Sequence, residues 1–344
     1  MEPIWYMILA VLLGTYVLLD GYDLGAGVTY LLFADTDDER KKVINSISSI
    51  WDANEVWLLA FVGLSTVFFP FYTQVLFDNF GGYILLFFLF LLLKTLVFNL
   101  MTVFKDRPLL HKFLGYTFGF LNLMLVVFVS LIFANILRGL FLEHPGSRIR
   151  FVSRHFSPFT DKPGFFDWFT LLATTMIFIA VLIHGLGWVV LKNKGAFNRK
   201  LKKIIQRLSF FELILIGLFL TAWYFLHPGV FHNYWSYPFL FIFPVLALIS
   251  LFGLMGIRTY PGENKAFLLS TNLIIFSWLS IMSAMYPHFI MPLGKSTLTA
   301  FNTGFDNPNR FFIEWWLLAI GLLLLGYSII VHKYMKGQTN QATD

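Results

Sequence analysis

Four carboxylates stand in or against the first two apolar stretches of this 344-residue chain. They are Asp20 and Asp23 in LLDGYDLGAG, and Asp52 and Glu55 in IWDANEVWLL. Each pair is spaced i,i+3, so in a helix both members project from one face. Ionisable groups at membrane depth cost kilocalories each unless they are paired, protonated or hydrated, which makes them functional candidates by default. The chemistry they point to is proton uptake and release, because a carboxyl in low dielectric favours the neutral form that a proton acceptor needs near neutral pH. Each pair also has a structural reading. Asp52-x-x-Glu55 is a capping-box pattern, with Asp52 at N-cap and Glu55 at N3. Asp20 and Asp23 follow sixteen membrane-grade residues without a helix start, so their structural reading is an ion pair or a local break at Gly21. Gly21 and Gly25 together also supply a small-xxx-small helix contact.

The other polar residues are scattered. Lys94, in FLFLLLKTLVFNL, lies too deep to snorkel easily and calls for a buried partner. Arg138 is near a span end and reads as a snorkelling residue. Glu212 is open to either reading, and Glu314, beside Trp315 and Trp316, reads as interfacial. Of the eight histidines only His184 and His288 are candidates for membrane depth. A lone histidine in a helix reads first as a hydrogen-bonded structural residue, and no HExxH or two-His-carboxylate pattern occurs. No metal site is expected in this chain alone. With no cysteine, disulfides, iron–sulfur clusters and thiolate ligation are also removed.

These residues are positioned by a membrane-embedded framework. Apolar residues make up 58% and charged residues 13%, about half the charged share of a soluble domain. Mean hydropathy is +0.72. Continuous apolar runs predict an all-α integral membrane protein and argue against a β-barrel, whose strands alternate. The N-terminus has no basic region ahead of its apolar run, so no cleavable signal peptide is expected. Nine spans are predicted at about 4–33, 52–76, 80–103, 113–143, 165–191, 208–226, 236–256, 266–287 and 312–333, forming one polytopic domain over 1–335 with a frayed tail at 336–344. Of the 25 Lys and Arg residues, 17 fall in loops on one side and 6 on the other. The richer side is expected to be cytoplasmic, with the N-terminus outside and the C-terminus inside. The net charge of +6 thus reflects the lipid bilayer and not nucleic acid. Asp20 then lies roughly 24 Å into a layer about 30 Å thick. The second span starts from the inner side, so both acidic pairs are expected at one depth near the cytoplasmic face.

At this point the chain resembles subunit II of the cytochrome bd-type quinol oxidases. That family shows DGxDLGxG in its first helix, matched by Asp20 to Gly27, and WDGNxVWL opening the second, matched by Trp51, Asp52, Ala53, Asn54, Glu55, Val56, Trp57 and Leu58. A Phe-Pro follows, here Phe69-Pro70. Ala53 departs from the family's glycine. Lys94 stands where the family has an Arg followed by an acid and a second Arg, which this chain lacks. The resemblance implies two four-helix bundles plus one peripheral helix. It implies pairing with a larger subunit I that carries the haem b and haem d groups, and a complex that oxidises membrane quinol and reduces O2 to water. It further implies a proton path through Asp20, Asp23, Asp52 and Glu55, supported by Gly21, Gly25, Trp51, Asn54, Trp57 and Lys94. It leaves open a structural quinone and a small single-span subunit.

A proton-coupled secondary transporter is the competing function, suited by membrane acids and Gly-interrupted helices. Against it, polar residues concentrate in the first two spans. A purely structural partner with static ion pairs is the third. The topology is checked by reporter fusions, which should place the N-terminus outside and the C-terminus inside; both ends on one side would show the spans miscounted.

Overall fold

Proline and glycine punctuation sets where the helices stop. The computed structural model describes residues 2–48, 54–139, 166–292, 297–303 and 326. Its helices are α1 (Glu2–Leu32), α2 (Asp37–Ile47), α3 (Val56–Phe68), α4 (Pro70–Val103), α5 (Pro108–Arg138), α6 (Trp168–Lys192), α7 (Ala196–Leu226), α8 (His232–Ser236), α9 (Ile242–Met255) and α10 (Asn264–Met285). A short antiparallel pair, β1 (His288–Ile290) and β2 (Leu298–Thr299), follows. Among the described residues seven helices are long and apolar enough to cross a membrane; the sixth is α9 extended back through a 3-10 turn to Pro238. Apart from residue 326, the predicted span at 312–333 lies outside the described residues.

Several boundaries differ from the sequence expectation: α7 starts at Ala196, well before the predicted 208, and α5 runs Pro108–Arg138 against the predicted 113–143. The span predicted at 52–76 ends early, at Phe68, because Pro70 has no N–H to continue the ladder and serves as the first residue of α4. The loop expected between 76 and 80 is instead helical. Asn79 stays in register by donating to the Val75 carbonyl at 2.7 Å, and α4 runs unbroken to Val103. The segment after the first span, expected as loop, contains α2. Thr36 caps it by accepting from Glu39 N–H at 3.2 Å, and Asp37, Asp38 and Glu39 occupy the first turn, where the helix dipole favours negative charge.

The α1–α6 crossing organises the bundle. A Cβ on Gly25 would lie 2.5 Å from the Val181 carbonyl oxygen and 2.9 Å from Gly185 Cα, and one on Gly185 would lie 2.1 Å from the Gly25 carbonyl carbon. Only hydrogens fit between the two backbones. Lipid tails are as apolar as leucine, so helix association rests on such close van der Waals packing. Gly27 is equally constrained, by Asn122 of α5, whereas Gly21 has 3.9 Å to its nearest neighbour. The expected Gly21/Gly25 contact is therefore a Gly25/Gly27 contact.

One end of the bundle is closed by aromatic rings. Trp5 stacks on Phe68 at 3.6 Å between centroids, and Phe289 meets Tyr6, Phe69 and Tyr72 at 4.9, 4.7 and 4.5 Å. Arg138 does not snorkel at this end: its Nε meets the Asp167 carboxylate, and both side chains are largely buried. Asp167 also forms a capping box with Thr170 at the start of α6. At the opposite, basic-residue end Lys200 of α7 holds Asp35 at 2.6 Å and Glu39 at 2.9 Å, while Trp188 of α6 donates to the Ser46 carbonyl at 2.9 Å. These contacts seat α2 against α6 and α7.

Gly185→Val should therefore destabilise the fold by about 1–3 kcal/mol or more through overpacking. Gly63→Ala, with nothing within 4 Å of the added carbon, should be nearly silent. Thermal denaturation of the purified protein distinguishes them, and equal effects would remove the crossing from its organising role.

Candidate functional site

Asp20 and Asp23 sit two-thirds of the way along α1, 0% and 3% exposed. Their spacing puts them on one side of the helix, and Tyr16 lies one turn before Asp20 on the same face. The segment entering α3 approaches them. Asn54, fully buried, has its Nδ2 within 2.7 Å of Asp23 Oδ2, 3.1 Å of the Leu19 carbonyl and 3.2 Å of the Tyr22 hydroxyl. The amide thus pins the α3 entry to α1 beside the acids.

Glu55 takes the N-cap position of α3 with helical backbone angles and makes no side-chain cap. The capping-box expectation had placed it at N3. Its carboxylate instead reaches Lys94 of α4, with Nζ–Oε1 at 3.0 Å. Lys94 Nζ also lies 3.7 Å from Asp20 Oδ1. The lysine is 2% exposed. An ammonium in that setting is tolerable only with opposite charges alongside, and it has two. α1, α3 and α4 each contribute to this cluster, and none could form it alone.

Asp23 Oδ1 and Asn54 Oδ1 have no hydrogen-bond partner among the described residues, and the Tyr16 hydroxyl faces the Asp20 carboxylate without a well-formed hydrogen bond. The carboxylates therefore retain acceptor capacity beyond their contacts with Lys94 and Asn54. Of the supporting residues, Trp57 is buried on α3, Gly25 makes the α6 crossing, and Gly21 is buried within α1. Trp51 and Asp52 lie outside the described residues.

His184 of α6 faces the cluster helix from the other side. Its Nε2 is 3.0 Å from the Leu18 carbonyl and its Nδ1 is 2.9 Å from the Ser270 hydroxyl. A carbonyl only accepts, so Nε2 carries the hydrogen. Both ring nitrogens are committed to protein partners, which does not fit an axial haem ligand. The ring stacks on Phe267 at 5.1 Å, and Tyr22 stacks on Trp188 at 4.3 Å. Together these contacts anchor the first-helix motif to α6 and α10.

Sequence reasoning found the acids but not the Lys94 connection between them. The signal was present: a lysine centred in an apolar stretch requires a buried counter-charge, and four carboxylates stood in the first two apolar stretches. Asn54 was legible only as a motif member, since its contacts depend on how the α3 entry is placed.

Comparison with known proteins follows the same lines. A family model described as cytochrome bd terminal oxidase subunit II matches residues 1–335. The chain is similar to cytochrome bd ubiquinol oxidase subunit 2 of Bacillus subtilis, 24% identical over 212 residues, which is 60% of this chain and 58% of that protein. It is also similar to "Probable cytochrome oxidase subunit 2" of Haemophilus influenzae, 24% identical over 323 residues, covering 84% of this chain and 81% of that one. The chain thus spans under two thirds of the length of the first of these curated relatives. Among solved structures, a chain of the bd oxidase from Geobacillus thermodenitrificans superposes with a TM-score of 0.69 at 16% identity, covering 97% of this chain and 98% of that one. This last likeness is one of fold.

Lys94→Met should leave the acids without their cation and destabilise the fold by about 3–5 kcal/mol. Adding Glu55→Gln should restore part of that loss. Additive losses in the double-mutant cycle would show that the two side chains do not interact.

Proposed function

Because the chain belongs to the cytochrome bd terminal oxidase subunit II family, we propose that it is the non-haem-bearing subunit of an oxidase that couples membrane quinol oxidation to O2 reduction. In this reading it stabilises a haem-bearing subunit I and supplies protons to it from the cytoplasmic side. The observation that carries the reading is the cluster of buried Asp20 and Asp23 and part-buried Glu55 against buried Lys94. Three carboxylates against one ammonium leave an excess of two negative charges when all are ionised. Burial makes such an excess costly, and binding protons removes it. The cluster is thus built to gain and release protons while Lys94 holds it in place.

Reducing O2 to two waters takes four electrons and four protons, so a terminal oxidase needs a route for protons to its reaction centre. The residues here act on the protons alone. Asp52 belongs to the same motif as Asn54 and Glu55, three residues before the carboxylate that reaches Lys94. It is proposed as the entry residue, passing protons to Glu55 and Asp20, with Asp23 beside them. Asn54 keeps the α3 entry against α1, so that donor and acceptor stay within reach of one another or of a bridging water. Haem b and haem d belong to subunit I in this proposal. The engagement of both His184 nitrogens supports that assignment, and no step is routed through a haem in this chain. The cytoplasmic placement of the basic-residue end, with the N-terminus outside, rests on the distribution of Lys and Arg.

Asp→Asn preserves size and hydrogen bonding while removing the titratable proton. Asp20→Asn and Asp52→Asn should assemble with a normal haem spectrum, yet lose turnover on the order of tenfold or more, as loss of a positioned proton carrier does. Asparagine is also a good N-cap, so a purely capping Asp52 would tolerate the change. Full turnover in a correctly assembled Asp20→Asn/Asp52→Asn variant would end the proton-path reading and leave a structural role.

A further inference from the structure

The second half of the chain repeats the arrangement of the first. Asp23-Leu24-Gly25-Ala26-Gly27 of α1 is answered by Ile183-His184-Gly185-Leu186-Gly187 of α6, and Gly25 and Gly185 meet each other directly. The second glycine of each set receives a different helix. Gly27 would meet Asn122 of α5, and Gly187 would meet Ser270 and Ala266 of α10. α5 packs on α1 and α4 as α10 packs on α6 and α9. α3 and α4 in the first half therefore correspond to α7 and α9 in the second. Counting back from the paired glycines, Ala180 stands where the first half has Asp20. The acid carried by the helix that follows is Glu55, part-buried at the N-cap of α3, in one half and Glu212, buried within α7, in the other.

Glu212 lies on α7, 2% exposed, and lines a cavity of about 310 Å3. Its Oε2 has no hydrogen-bond partner, and no cation approaches its carboxyl within ion-pair distance among the described residues. The walls supplied by α6 and α9 near it are apolar, with Ala180, Val181 and Ala247. The titratable groups sharing the cavity are the phenols Tyr16 of α1 and Tyr72 of α4; α6, α9 and α10 place none there. Tyr16 is one turn from Asp20, so the cavity has the edge of the acidic cluster on one wall and Glu212 on another.

We infer that Glu212 is a second proton-binding site, the second half's counterpart of the carboxylate cluster, reached through the apolar cavity and not through the motif residues. With no Lys94 counterpart among the described residues, a proton is the species that neutralises this carboxyl in place. A neutral carboxyl in a cavity open to lipid-soluble molecules has a characteristic reactivity. Its O–H adds across one C=N bond of a carbodiimide to give an O-acylisourea. This rearranges to a stable N-acylurea, and no oxidant or reductant is consumed.

The test uses the intact complex purified through a tag on this chain and reconstituted in lipid nanodiscs. Dicyclohexylcarbodiimide, which partitions into the membrane, should modify Glu212 as read by peptide mass spectrometry, whereas a water-soluble carbodiimide should not. Glu212→Gln should lose that adduct, along with a deuterium-sensitive neutral-carboxyl C=O band in the infrared. Wild-type labelling stands alone if the variant does not assemble. Absence of a Glu212 adduct, or equal modification by the water-soluble reagent, would overturn the inference. Neither readout depends on quinol turnover, so failure here is separate from failure of the proton path proposed for the cluster.

Discussion

An ammonium buried among apolar helices cannot stand alone, and the first half of this molecule is arranged around that constraint. Lys94 comes from α4, Asp20 from α1 and Glu55 from the entry to α3. Unpaired, each charge costs several kilocalories in low dielectric. Paired, they hold three helices in one relative position. A hydrophobic core of the same volume could also do this, and buried ion pairs are weak stabilisers against such a replacement. What the apolar alternative lacks is an exchangeable proton, and the excess of acid over base in the cluster is where structure and proposed chemistry meet.

That cluster holds its shape only because its helices approach closely elsewhere. The Gly25–Gly185 contact brings α1 against α6 backbone to backbone. His184 then reaches the Leu18 carbonyl, and Trp188 both stacks on Tyr22 and grips the end of α2 through Ser46. α2 in turn leads the chain toward Asn54, whose amide fastens the α3 entry beside Asp23. The glycines of the first-helix motif thus act on the acids indirectly, by setting how near the neighbouring helix lies.

Much of this was legible in the residues. The apolar runs marked α1, α5, α6 and α10 to within a few residues, because a helix in lipid must satisfy its backbone internally and leaves few other patterns to read. The acidic pairs stood out for the same reason. The Phe69–Pro70 break was harder to place, since Phe77, Asp78 and Asn79 looked more like a loop than the apolar residues around the proline. In the fold, Asn79 returns its hydrogen bond to its own helix, which no composition rule reveals. Arg138 looked free to reach the surface, and its pairing with Asp167 depends on a chain return that spacing alone does not give. α2 was missed because its polarity reads as loop, although Thr36 and the acids after it carry a helix-start signature.

The aromatic layer of Trp5, Tyr6, Phe68, Phe69, Tyr72 and Phe289 has an electrical consequence. Voltage across a membrane falls mainly over its driest, least polarisable material, and moving a unit charge through the whole of it costs about 2.3 kcal/mol per 100 mV. Fourteen residues of α1, roughly 21 Å of helix, separate Tyr6 from Asp20. In a membrane such a layer would insulate the far side of the cluster and concentrate the field between it and the acids. A proton taken up from the basic-residue end, as the proposed function has it, would therefore cross only a small part of the potential before it binds. Under the proposed function, charging the cluster would be nearly independent of voltage, and the same insulation would block a leak to the opposite face.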